Sequence, residues 1–180
     1  GPAVMASTPT TTSMEVDAAA AKIAAAEPQI VIIGLAGTAP AFVRALRKAG
    51  GKSSAYGLSI TASALGAMGE LAPGLGCAIV VPSPFATKYE IVRRYQADML
   101  ASGNKEFSLP SLEGYLDACV LVEGLRRAGP SPSRAGVIAG LEHIEAYDLG
   151  GVKINYGRGN REGNQFVDVA VISSNGRLIS

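Results

Sequence analysis

Short apolar runs alternate with longer amphipathic stretches through the first part of the chain. Four runs read as strands: Ala3-Val4-Met5-Ala6, Gln29-Ile30-Val31-Ile32-Ile33-Gly34, Ser54-Ala55-Tyr56-Gly57-Leu58 and Cys77-Ala78-Ile79-Val80-Val81. The second and fourth are almost unbroken in β-branched side chains. A strand that is apolar at every position needs cover on both faces, which is the habit of parallel sheets. Three helical stretches separate the runs, and that alternation predicts βαβ units. The first helix, 14–26, is Ala-rich, with Ser13 as its candidate N-cap and Glu15 and Asp17 in the first turn, where the helix dipole favours acids. Glu27-Pro28 ends it, because the residue before a proline avoids the helical region. The second helix follows Gly34-Leu35-Ala36-Gly37-Thr38. Thr38 can cap it, Pro40 suits its first turn, and Phe42, Val43 and Leu46 form its inward stripe. Gly50-Gly51 closes it. The third, 61–71, is interrupted by glycines.

Pro82-Ser83-Pro84 breaks this rhythm, since two prolines so close disfavour helix and restrict their neighbours. Beyond it the pattern turns helical. Thr87-Lys88-Tyr89-Glu90 has capping-box spacing, and Val92, Tyr95 and Met99 form the apolar face that follows. Ser111 caps a helix running to Arg127, with Tyr115, Leu116, Cys119, Val120 and Val122 apolar. After Pro130-Ser131-Pro132-Ser133, the residues Val137, Ile138, Leu141 and Ile144 stand at helical spacing. In the tail, Val152, Ile154 and Tyr156 alternate with Lys153 and Asn155 as a half-buried strand. A polar turn spans 157–165, a strand 166–172, and Asn175-Gly176 signals a type I′ hairpin. The expected division is an α/β core at 1–82, a connecting and helical segment at 83–147, and C-terminal strands at 148–180.

Composition narrows the function. At 180 residues the chain has room for one domain or slightly more. Charged residues are 17% and the net charge is +1, so the concentrated basic surface that nucleic acid needs is not expected. Cys77 and Cys119 read as small apolar residues in a strand and a helix, although a disulfide between them is the alternative. No apolar run approaches the ~20 residues of a membrane span. No basic region followed by an apolar core opens the chain, so no signal peptide is expected within it.

In an open α/β sheet, ligands bind beyond the carboxyl ends of the strands. Those ends are 7–12, 35–38, 59–61 and 83–85, rich in Ser, Thr, Gly and Pro and without His, Cys or acid. They suit a hydrogen-bonding cradle, or simply helix caps. Gly34-Leu35-Ala36-Gly37 is a fragment of a dinucleotide fingerprint that lacks its third glycine and its acid. Residues 157–164 are glycine-rich but precede a strand, so no helix dipole is available for phosphate and a hairpin connection is the plainer reading. His143, the single histidine, lies in a helix away from the strand ends and reads as structural. Glu113 and Asp117, one turn apart, read as solvated first-turn acids. No metal-ligand spacing occurs, and no cofactor is expected.

Several phrases, taken in order, resemble the type I periplasmic binding proteins of the leucine/isoleucine/valine-binding branch, the solute receptors of branched-chain amino acid ABC importers. They are Val16-Asp17-Ala18-Ala19-Ala20, the run from Pro28 to Gly34, the run from Phe42 to Gly50, Val80-Val81-Pro82-Ser83-Pro84, Leu112-Glu113-Gly114-Tyr115, the run from Leu121 to Gly129, Asp148-Leu149-Gly150-Gly151-Val152 and Phe166-Val167-Asp168-Val169. The resemblance covers the C-terminal part of such a receptor. It implies a three-layer α/β/α lobe with a mainly parallel sheet, a helical segment and a C-terminal β-hairpin. It implies a non-enzymatic protein that closes by a hinge on a small amino-acid-like or organic-acid solute in the periplasm and hands it to a membrane permease. The ligand positions implied are Leu35, Ala36, Gly37, Thr38, Leu58, Ser59 and Ser83, with Ala36 and Ser59 standing where relatives carry an aromatic and an acid. The absent acid turns the expectation away from leucine-type ligands and toward a neutral or anionic solute. The same fold also serves sensors and regulators, and a nucleotide-dependent enzyme is the remaining alternative. Without the first lobe, faces such as Val92, Tyr95 and Met99 are expected to lose their usual cover and to favour a homo-oligomer.

Overall fold

The computed structural model describes residues 3–7, 12–62, 64–157, 159–175 and 178–179. The chain packs as two units, Gly1–Ile79 with Val169–Ser180, and Val80–Asp168.

The first unit is built on a five-stranded sheet. Its strands are β1 (Ile30–Ile33), β2 (Ser54–Gly57), β3 (Gly76–Ile79), β6 (Asp168–Ile172) and β7 (Leu178–Ile179), in the order β1-β2-β3-β6-β7. β1, β2 and β3 are parallel, and β6–β7 is an antiparallel pair. Between them lie α1 (Ser13–Ala25), α2 (Ala39–Lys48), a short α3 (Ser59–Ala62) and a 3₁₀ stretch (Leu65–Leu71). Val16, Ala20 and Ile23 of α1 and Phe42, Val43 and Leu46 of α2 pack with Val31, Ile33, Ala55 and Ile172 of the sheet. Arg47, in the last turn of α2, donates from Nη1 to the Gly51 and Ser53 carbonyls at 2.8 and 2.9 Å. Ser53 in turn donates to the Pro28 carbonyl at 2.6 Å, so side chains fix the entry into β2.

Several expectations are corrected here. Ala3-Val4-Met5-Ala6 forms no strand, because no neighbouring strand pairs with it. The cap of α1 sits at Thr12, whose Oγ1 accepts the Glu15 N–H at 3.5 Å. The helix expected over 61–71 breaks into α3 and the 3₁₀ stretch, with Gly69 at φ +54 inside the latter. β3 covers 76–79, while Val80 and Val81 belong to the second unit. β1 is covered on one face only. Val31 and Ile33 are buried, but Ile30 and Ile32 are 57% and 67% exposed. In the hairpin, Ile172 pairs with Leu178. Gly176 of the expected turn lies outside the described residues.

The second unit holds α4 (Glu90–Ala101), α5 (Leu109–Ala128), α6 (Arg134–Glu142) and the antiparallel pair β4 (Tyr147–Asp148) and β5 (Lys153–Ile154). Helix starts again differ from the sequence reading. α4 begins after Tyr89 with no side-chain cap, so Thr87 closes no capping box. α5 is capped by Ser108, and Ser111 stands at the third position with reciprocal bonds. The Tyr95 hydroxyl joins this cap, bonding Ser111 Oγ and accepting the Ser108 N–H at 3.2 Å. Val92 and Tyr95 are fully buried, in one core with Ile91, Leu112, Leu116 and Ile144. The α4 face expected to lie bare therefore has its own partners. The expected strand 152–156 shrinks to β5, because the Asn155 and Tyr156 N–H groups turn to the Gly163 and Ile144 carbonyls, both at 2.8 Å. Residues 166–167 likewise precede β6 rather than joining it.

Candidate functional site

Parallel pairing places the carboxyl ends of β1 and β2 on the same side, so the residues that follow them meet there. Leu58 N–H donates to the Ile33 carbonyl at 3.3 Å and ties the two ends together. Thr61 completes the knot. Its buried Oγ1 stands 2.6 Å from the Leu35 carbonyl oxygen and 3.0 Å from that of Ile33. Gly57 permits this approach, because a Cβ there would lie 2.6 Å from the Thr61 side chain.

Around this knot Leu35, Ala36, Thr38 and Ser59 are half-buried, and Gly37 and Leu58 are exposed. Thr38 precedes α2 in a helical conformation and makes no side-chain capping bond, so capping does not use its hydroxyl. A Cβ on Gly34 or Gly37 would meet no atom within 4 Å, which leaves open space over the end of β1. Residues 34–38 and 58–61 contain no titratable side chain. They present hydroxyls and backbone dipoles, which can orient a polar solute but do not move protons in the pH range of life.

Six of the seven expected ligand positions thus fall at one place in the first unit, and the seventh does not. Ser83 belongs to the second unit, where it is buried and its Oγ accepts the Phe85 N–H at 3.4 Å. Thr61 was grouped with the strand ends by sequence, but its bond to β1 was not legible. Its partners lie 26 and 28 residues away, and no local pattern marks them.

The other candidates have structural employment. His143 is the C-cap of α6, its Nδ1 2.5 Å from the Ala139 carbonyl, and its own carbonyl accepts Arg127 Nη1 at 2.5 Å. Glu113 and Asp117 are exposed on α5. The 157–164 stretch turns back on itself, with bridges between Ile154 and Asn164 and between Gly157 and Asn160. Cys77 and Cys119 are free thiols, and burial pushes the Cys77 thiol up against a smaller lowering from the Gly57 backbone. A protonated buried thiol is no nucleophile. Among the described residues no group of three His, Cys, Asp or Glu is placed to hold a metal ion. No helix among them is long and apolar enough to cross a membrane.

A family model described as periplasmic binding protein matches residues 1–177. The solved structure of an extracellular ligand-binding receptor from Verminephrobacter eiseniae superposes with a TM-score of 0.81 at 27% identity, over 94% of this chain and 50% of that one. A substrate-binding periplasmic protein from Ralstonia solanacearum gives 0.79 at 30% identity, over 94% and 49%. A branched chain amino acid ABC transporter protein from Thermus thermophilus, solved with bound valine, gives 0.74 at 19% identity, over 86% and 45%, a likeness of fold alone. A search of the curated proteins finds no match. The chain spans about half the length of the solved structures it matches.

Proposed function

The chain belongs to the periplasmic binding protein family, and on that premise we propose that it contributes one wall of a solute-binding site and does not catalyse a reaction. The observation that carries this reading is the knot at the ends of β1 and β2. It gathers Leu35, Ala36, Gly37, Thr38, Leu58 and Ser59 at the ends of two neighbouring strands, with open space at Gly34 and Gly37 and no titratable side chain among them. Such a wall suits a small amino-acid-like or organic-acid solute held by hydroxyls and backbone groups. An ammonium would lack a carboxylate partner here, so neutral and anionic solutes are favoured over leucine itself. In the complete receptor a second wall would close on the solute by hinge motion, a population shift driven by contacts available only when closed. The complete receptor would work in the periplasm and pass its solute to the permease of an ABC importer.

The test is amide NMR of the 180-residue chain, titrated separately with valine, leucine, glutamine, benzoate and 2-oxoisovalerate. Saturable shifts confined to 35–38 and 58–61 are expected, larger for benzoate and 2-oxoisovalerate, which carry no ammonium, than for the three amino acids. Shifts centred instead on 157–164, or none from any of the five compounds, would overturn the reading.

A further inference from the structure

Two stretches of chain lead from one unit to the other, and both are tied down on the side of the second unit. They cross after Ile79 and after Asp168. β3 ends at Ile79, and the chain bends at Val80 and Val81. Residues 81–84 are then buried, with Val81 in the second core. Gln96 of α4 donates from Nε2 to the Pro84 carbonyl at 2.7 Å. Asn164 serves both stretches at once. Its Nδ2 donates to the Val80 carbonyl at 2.8 Å, and its Oδ1 accepts the Phe166 N–H at 2.8 Å. Its backbone is bridged to Ile154, a residue of the second core. Phe166 also sets its ring edge-on to Tyr89, with 5.9 Å between centroids. Val167, 70% exposed, is then the single residue between Phe166 and the start of β6.

We infer that Asn164 is a positioning residue: it makes both connecting stretches part of the second unit and confines bending between the units to the Ile79–Val80 link and Val167. This rests on the hinge motion proposed above and names where that motion takes place. A hinge needs a few residues that absorb the change in backbone angles, with stiff ground on either side of them. The sheet supplies that ground at Ile79 and Asp168, the last residue of β3 and the first of β6. Asn164 supplies it at Val80 and Phe166. Chemistry explains the residue type. A carboxamide carries N–H donors and a carbonyl acceptor on separate atoms, so it can hold a carbonyl and an N–H together. Aspartate keeps the acceptor and loses the donor, alanine loses both, and glutamine is one methylene longer. Val80 and Asn164 stand 84 positions apart, so the bond joins stretches that the local chain does not bring together.

The test is amide relaxation dispersion and hydrogen exchange on the 180-residue chain without solute, for the parent, Asn164→Asp and Asn164→Ala. Hinge motions fall in the microsecond-to-millisecond range that dispersion reads. In the parent, dispersion is expected at Val80, Val167 and Asp168 and not at Val81, Ser83 or Phe166. Asn164→Asp should spread it to Val81 and Ser83 while the α5 and α6 shifts stay in place, which shows the fold intact. Asn164→Ala should in addition speed exchange at the Phe166 amide about tenfold, the effect of one lost hydrogen bond. Dispersion in the parent that already covers Val81, Ser83 and Phe166, or that is absent at Val80 and Val167, overturns the inference. So does a pair of variants that only lower the urea midpoint and leave the dispersing residues unchanged, since Asn164 would then be a structural bond and no more. With no solute present, these outcomes are independent of whether residues 35–38 and 58–61 bind one.

Discussion

Thr61 shows how one hydroxyl can organise a strand end. Its single proton can go to the Leu35 or the Ile33 carbonyl, and the Thr61 and Ile33 residues are both buried. Thr61→Val keeps the shape and removes the donor. It should cost about 1–3 kcal/mol, the usual penalty for an unanswered buried polar group, while Thr61→Ser should stay close to the parent in urea midpoint. Asp148 offers a second test. Its Oδ1 accepts the Gly150 and Gly151 N–H groups at 2.9 and 2.6 Å, at a turn where both glycines have positive φ (+94 and +100). Those two backbone donors hold its carboxyl below the usual carboxylate range. A lowered folded pKa means the turn is fully supported above the unfolded value near 3.9 and loses that support as pH falls through the folded one. The Gly150 and Gly151 amide shifts should therefore titrate with a midpoint below that of free aspartate. Asp148→Asn should abolish the titration while keeping the turn.

At the scale of elements, short-range rules placed the helices well and their starts less well. Ser108, rather than Ser111, caps α5 because Tyr95 reaches across from α4 and takes up the same pair of serines. Ser108→Ala should cost about 1 kcal/mol. Tyr95→Phe should lower the midpoint as well, because the Ser108 N–H loses an acceptor. α5 and α6 meet through glycines, and a Cβ on Gly140 would run into the Gly124 carbonyl oxygen. Gly140→Ala should destabilise by about 1–3 kcal/mol through overpacking, despite alanine's better helix propensity. β1 behaves oppositely. Ile32→Lys should leave the melting temperature within a degree or two and raise solubility, since the side chain is already 67% exposed.

At the scale of the molecule, the two cores share no residue. The second draws only on positions between Val81 and Tyr156. The segment 80–168 expressed alone should retain helical circular dichroism and melt cooperatively, and a gradual melt would show that its core is incomplete. The sequence by itself determined the class of this fold. β-branched runs alternating with helical stripes specify parallel βαβ units, and Pro-Gly punctuation marks where elements end, because both signals act within a few residues. It also brought the candidate positions 35–38 and 58–59 to one place, since the carboxyl ends of parallel neighbours must coincide. Tertiary structure alone decided the rest. Whether an apolar run becomes a strand depends on a neighbour to pair with, and Ala3-Val4-Met5-Ala6 has none while Ile30-Val31-Ile32-Ile33 has one on a single edge. Which apolar face is bare was equally out of reach. The Val92 and Tyr95 side chains found partners within their own unit, while Ile30 and Ile32 of β1 stay exposed, because cover is a property of what packs alongside and not of the residue that needs it.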